Sequence, residues 1–298
     1  MRNRLITAGT VAALALTLAA CGGTGNGGTT TPAGGGETTT EAGGEETGGE
    51  TGGAGGGEGT LTVGIKYDQP GLGLQQGADF TGFDVDVARY VAEHLGYDDI
   101  EFVESISAQR ETMLENGQVD MIFATYSITD ARRERVDFAG PYFVAGQDLL
   151  VRQDEAEITG PETLEGRILC SVEGSTSAER IRDDHPGVEL YPAATYSECV
   201  ELLTATTVDA VTTDDIILAG FANQPAYAGQ LKVVGNTFST ENYGVGLPKG
   251  STELCGQVNE AIAEMVSSGA WEEALSSNAG ADYQYNAETN PPEAMECA

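Results

Sequence analysis

Apolar and polar positions alternate along the chain in a way that predicts strands and helices in turn. TLTVGIKYD (Thr60 to Asp68) alternates like a strand and ends in the turn QPGLG, which delivers Lys66 and Asp68 to the strand's end. TGFDVDVARYVAEHLGY repeats apolar residues at Phe83, Val87, Val91 and Leu95, one helical face closed by Gly96. Asp84 and Asp86 are read as carboxylates at a helix start, where the dipole favours them. IEFVES (Ile100 to Ser105) predicts a second strand, followed by the loop SAQRE and the helix RETMLENG. Met121 to Phe123 is apolar and β-prone, and it passes through Ala124, Thr125, Ser127 and Thr129 into a short basic helix, ARRER. Thr129 or Asp130 is its N-cap, and a proline-punctuated apolar segment continues to Phe143.

AGQDLLVRQ (Ala145 to Gln153) reads as a long strand crossing between two halves of the molecule. A second βα series follows. ILCSV breaks at Glu173-Gly174-Ser175-Thr176 into a helix, VELYPA precedes a helix from Tyr196 to Thr204, and Val208 to Thr212 is a buried strand releasing Thr213, Asp214 and Asp215. LKVVGNTFSTENYGVGLPKG holds two strands suited to crossing back. Ser251 then caps a helix with Leu254, Val258, Ile262, Met265 and Val266 inward, and Trp271 and Leu275 end the packed part. After Gly280 the chain is polar and expected to be loose, except where Cys297 is tied down.

The first 59 residues follow none of these periods. Arg2 and Arg4 precede an apolar run from Leu5 to Leu18 and the tetrapeptide Leu18-Ala19-Ala20-Cys21, the pattern of a secretory leader with a lipobox over residues 1–21. Cys21 is the expected lipidation site, on the extracytoplasmic face of the cell membrane. Residues 22–59 are Gly, Thr and Glu with little to bury, a disordered tether with a reach of roughly 35 Å. About 220 residues remain, enough for two small α/β lobes. The net charge of −33 opposes nucleic acid and anionic lipid surfaces as partners, so any anion site must be built locally.

Four further cysteines, Cys170, Cys199, Cys255 and Cys297, suit two disulfides in an exported chain. Of three possible pairings, Cys170–Cys199 and Cys255–Cys297 each stay within one region. No metal site and no cofactor are expected, because His94 and His185 lie near neither a CxxC nor each other. No nucleophile elbow, Walker A loop or histidine base presents itself, so the reading is a binding protein and not an enzyme.

Hydroxyls and cations gather instead at strand-to-helix junctions, the usual ligand position in α/β sheets. Arg132 falls in a first helical turn, where a cation is disfavoured. A ligand carboxylate can offset that cost, as can a salt bridge to Asp130, Glu134 or the other half. Ser107 and Arg110 form a second junction of the same kind, though solvated polar helix starts look alike. Free N–H groups before Thr176 suit an anion, or ordinary capping. Asp214 or Asp215 can cap the next helix or receive an ammonium group.

Taken together, TGFDVDVARYVAEHLG, NGQVDMIFATYSITDARRERVDFAGPYF, VDAVTTDD and YGVGLPKG resemble the amino-acid-binding solute receptors of ABC importers, the polar amino-acid family, family 3. The resemblance runs from Thr60 to about Asn278. KYDQPGLG, SAQRE and FAGPYFVAGQDLLV are similar to the glutamate-binding lipoproteins among them.

It implies a type II periplasmic-binding-protein fold: two α/β lobes, 60–148 with 241–298 and 149–240, joined by two crossing strands around a cleft. By the same resemblance, Arg132 clamps the α-carboxylate with Ser127 and the backbone of Thr125. Thr176 adds a second-lobe contact, and Asp214 takes the α-ammonium. Ser107 and Arg110, assisted by Lys66, hold a side-chain carboxylate. The stacking aromatic of many relatives is not obvious, with Tyr67 a candidate, and Thr213 stands where some carry a histidine.

The implied function is a monomeric, lipid-anchored receptor for L-glutamate that serves ABC permease subunits. Aspartate, glutamine or another polar amino acid is the nearest alternative. A cyclohexadienyl-dehydratase-like enzyme and a sensory module are the others.

Overall fold

The computed structural model describes residues 59–280 and 283–297. The leader, Cys21 and the tether up to Glu58 lie outside the described residues. Among the described residues, no helix is long and apolar enough to cross a membrane.

The strands are β1 (Thr60–Ile65), β2 (Asp68–Gln69), β3 (Gly73–Gln76), β4 (Asp79–Thr81), β5 (Asp99–Glu104), β6 (Met121–Phe123), β7 (Asp137–Ala145), β8 (Gln147–Arg152), β9 (Ile168–Val172), β10 (Glu189–Ala193), β11 (Ala210–Asp214), β12 (Leu231–Val233) and β13 (Glu241–Leu247). The helices are α1 (Phe83–His94), α2 (Arg110–Glu115), α3 (Asp130–Arg133), α4 (Thr176–Asp184), α5 (Tyr196–Thr204), α6 (Asp215–Ala222), α7 (Thr252–Ser267) and α8 (Ala270–Asn278).

Two five-stranded sheets carry the two lobes of a type II binding-protein fold. The first runs β5-β1-β6-β13-β7 and the second β10-β9-β11-β8-β12. β1 is parallel to β5 and β6, and β9 is parallel to β10 and β11, as βα units require. The helical face of α1 packs as its period dictates, with Phe83, Val87, Val91 and Leu95 all buried. Leu254, Val258, Ile262 and Met265 of α7 are buried likewise, with Trp271 and Leu275 of α8 beside them.

The long strand expected over Ala145 to Gln153 is divided, because Gly146 leaves both sheets to pair with Asp215. Its carbonyl accepts from Asp215 N at 2.8 Å, and its N–H donates to Asp215 Oδ1 at 3.2 Å. The return path from β12 to β13 is irregular, held where Val234 N and Phe238 N donate to Leu149 O and Gln147 O. Ahead of α1, the β2-β3-β4 meander is a small sheet that the sequence pattern does not announce.

Residues 283–297 are not loose. Tyr283 donates to Asp215 Oδ2 at 3.2 Å, Tyr285 packs edge-on to Trp271, and Asn290 bonds both N and O of Val144 like a missing strand. Ser251 sits at the N-cap of α7 without a side-chain cap bond. Asp137 Oδ2 takes its N–H instead, together with that of Gly250. Both expected disulfides are present, Cys170–Cys199 tying β9 to α5 and Cys255–Cys297 tying the tail to α7.

Candidate functional site

The carboxyl ends of strands from both sheets converge on one narrow crevice. Ser107, Arg110, Thr125 and Ser127 line it from the first lobe, and Thr176 and Asp214 from the second. Ser127 Oγ and Thr176 Oγ1 stand 3.4 Å apart across it.

Two of the expected residues stand behind that lining. Lys66 is buried and donates to Ser107 Oγ at 3.0 Å. Arg132 donates through Nη1 to Ser127 O at 2.7 Å and through Nη2 to Gly174 O at 3.1 Å, so it bridges the two lobes. Its Nε lies 3.4 Å from Glu111 Oε1, whereas Asp130 and Glu134 were the sequence-adjacent candidates. Thr129 supplies the N-cap of α3 and accepts from Arg132 N at 3.2 Å.

The electrostatics of the crevice are asymmetric. Arg110 and Arg132 both lie over the Tyr126 ring, at 4.1 and 5.0 Å from its centre, where the π face offsets part of their repulsion. Burial, with the charge of Arg132 adding to it, lowers the Arg110 pKa to about 10. Burial likewise brings Lys66 down to about 7, with Arg110 adding to the effect. Burial raises Asp214 well above the usual carboxylate range, and Glu241 raises it further, while the Tyr243 hydroxyl opposes that rise.

Arg110 donates through Nη1 to Ala124 O at 3.0 Å, but its Nε has no hydrogen-bond partner. Asp214 Oδ1, on the far side, also has none. A buried guanidinium and a buried carboxyl group thus face one crevice, each with unmet bonding capacity.

The floor is held by strained and buried groups. Thr125 adopts φ +46°, a left-handed conformation that costs a β-branched residue energy and persists only when its surroundings impose it. Asp84 imposes it, accepting from Thr125 N at 2.9 Å and from Tyr142 Oη at 2.8 Å. Asp84 does lie in the first turn of α1, as expected, and its fully buried side chain adds a supporting role beneath the crevice.

Ser175, Ser177, Tyr196, Thr213 and Ile217 complete the lining. Ser175 is the N-cap of α4 and accepts from Ala178 N at 3.0 Å. Tyr196 opens α5 and gave no signal beyond helical spacing. Tyr67, the stacking candidate, is not among the lining residues. Its ring packs on Phe80 at 5.1 Å, and its hydroxyl donates to Phe102 O at 2.7 Å.

A wider groove runs beside the return crossing, past Asp148, Asp215 and Tyr283. Both carboxylates there already accept hydrogen bonds, from Leu149 and Gly235 and from Gly146 and Tyr283. It offers a ligand less than the crevice does. Among the described residues no cluster of histidine, cysteine or carboxylate side chains could hold a metal ion.

The glutamate-binding protein GluB of Corynebacterium efficiens is 46% identical over 246 residues, covering 78% of this chain and 83% of its own. GluB of Corynebacterium glutamicum is 48% identical over 237 residues, covering 75% and 80%. Among solved structures, an ancestral arginine-binding protein bound to glutamine superposes with a TM-score of 0.69 at 33% identity, covering 74% of this chain and 97% of its own. The family model for bacterial extracellular solute-binding proteins, family 3, matches residues 61–280, and the chain belongs to that family.

Proposed function

We propose that the protein is the receptor of an ABC importer for an acidic amino acid, L-glutamate first, and that its two lobes close over the ligand. The observation that carries this reading is the pairing of an unmet donor, Arg110 Nε, with an unmet acceptor, Asp214 Oδ1, across one crevice. An amino acid brings an ammonium to Asp214 and a carboxylate to the serine, threonine and arginine side. Lys66 behind Ser107 adds positive charge beyond what one carboxylate needs, which favours a ligand with a second one.

In this reading Arg132, Ser127 and Thr125 hold the α-carboxylate with Thr176, while Ser107, Arg110 and Lys66 receive the side-chain carboxylate. The lobe division 60–148 with 241–298 against 149–240 belongs to the same reading, with the first crossing turning at Gly146. So do the monomeric state, a lipid anchor at Cys21 and delivery to permease subunits. The names of the two GluB relatives support glutamate over its neighbours.

Titration calorimetry of the secreted protein with L-glutamate, L-aspartate, L-glutamine and L-arginine tests this. Tight binding of glutamate is expected, and tight binding of glutamine without glutamate rejects the acidic ligand.

A further inference from the structure

We propose that the turn Asp68–Pro70 is a closure latch, and that Gly220 of α6 is the position that lets it seat. The proposal rests on the receptor reading above and names residues, outside the crevice lining, that set how tightly the ligand is held.

The turn belongs by chain to the first lobe, yet it docks on two helices of the second. Asp68 Oδ2 accepts from Ser197 N at 3.1 Å and from Ser197 Oγ at 2.8 Å. Ser197 lies in the first turn of α5, where the helix dipole favours an anion. Two residues on, Cys199 is bonded to Cys170 of β9, the strand that leads into Gly174 and Thr176 at the crevice. Tyr196, one residue before Ser197, lines the crevice itself. On the other side of the latch, Gln69 Oε1 lies 3.2 Å from Thr125 Oγ1 on the crevice floor. Seating the turn therefore connects both walls of the site.

Beside this contact, α6 carries an interior glycine, the poorest helix former after proline. A Cβ built at Gly220 would fall on the Pro70 carbonyl oxygen, far inside any real contact. Backbone cannot yield there as a flexible side chain can. The glycine is thus needed by the seated turn and not by the helix. This latch is separate from the lobe-to-lobe bonds at the crevice, such as Arg132 to Gly174 and Tyr243 to Asp214.

The test compares the secreted wild type with Gly220→Ala, Asp68→Ala and Gly256→Ala, using calorimetry and X-ray scattering with and without L-glutamate. Gly256 is a helical glycine whose added Cβ would meet nothing, so it reports helix propensity alone.

For Gly220→Ala we expect an unchanged or higher ligand-free Tm, at least tenfold weaker binding, and a reduced or absent ligand-dependent compaction. Asp68→Ala is expected to weaken binding several-fold through faster release, and Gly256→Ala to leave affinity and compaction unchanged. Gly220→Ala that binds and compacts like the wild type overturns the latch. A wild type that neither binds nor compacts with glutamate removes the receptor reading itself, and the latch with it.

Discussion

Tyr243 donates its hydroxyl to Asp214 Oδ2 at 2.6 Å, which joins a strand of the first sheet to the end of a strand of the second. That bond holds one carboxylate oxygen and leaves Oδ1 without a partner, the acceptor proposed for a ligand ammonium. Tyr243→Phe should weaken glutamate binding about fivefold, the ~1 kcal/mol of one hydrogen bond. Asp214→Asn removes the charge, and a loss of a hundredfold or more is expected from an unpaired ammonium, roughly 3 kcal/mol. Because burial disfavours the Asp214 anion, the Asn variant should also unfold at a higher temperature without ligand. Calorimetry and thermal unfolding read the two effects separately.

Lys66 ties pH to affinity. Burial brings its folded pKa to about 7 from 10.5, so its stability contribution is present above 10.5 and lost as pH falls through 7. At or below neutral pH the buried ammonium is a cost, and Lys66→Met should raise ligand-free stability there. A bound carboxylate reverses the balance by favouring the ammonium. Glutamate binding near pH 8 should therefore take up a proton, and affinity should fall by up to tenfold per pH unit above 7. Calorimetry in buffers of different ionisation enthalpy counts that proton, and uptake of none removes Lys66 from the site.

Arg110 and Arg132 stack on one ring but differ in what they already hold. Arg132 bonds Ser127 O and Gly174 O, whereas Arg110 bonds Ala124 O and keeps Nε free. If Arg132 grips the α-carboxylate as proposed, Arg132→Ala should abolish binding of every amino acid, and it also removes a bond between lobes. Arg110→Ala should cost glutamate about thirtyfold, ~2 kcal/mol for a charge-assisted bond, and cost glutamine much less. Equal losses for both ligands in the second variant would refute that division of labour.

The helices and most strands were legible because their apolar spacing matches one buried face, as Phe83, Val87, Val91 and Leu95 show. The junction residues were legible because a chain with only fourteen Lys and Arg residues places an arginine near a serine at two separate strand-to-helix junctions. What the sequence hid was determined by contacts between distant segments. Asp84 reads as a helix-start carboxylate, and only the fold brings Thr125 and Tyr142 onto it. Gly146 reads as strand interior until Asp215 takes its backbone groups. Tyr196 lines the crevice because a disulfide and a sheet place the start of α5 there, and no local pattern encodes that.

Asp84 makes the crevice floor itself testable. Its folded pKa is raised by burial to about 6 from 3.8, with the Tyr142 and Thr125 bonds opposing. Its contribution is fully present below pH 3.8 and is lost as pH rises through 6, about 3 kcal/mol across that window. Asp84→Asn can keep an acceptor toward Thr125 N and donate to the Tyr142 hydroxyl, so it should fold and lose this slope. Asp84→Ala leaves the Thr125 N–H without a partner, so the left-handed turn should relax, costing about 2 kcal/mol and most of the affinity. Urea unfolding of the ligand-free protein between pH 4 and 8 measures the first effect. Glutamate titration of both variants measures the second, and an Ala variant that binds normally would show that the turn needs no such support.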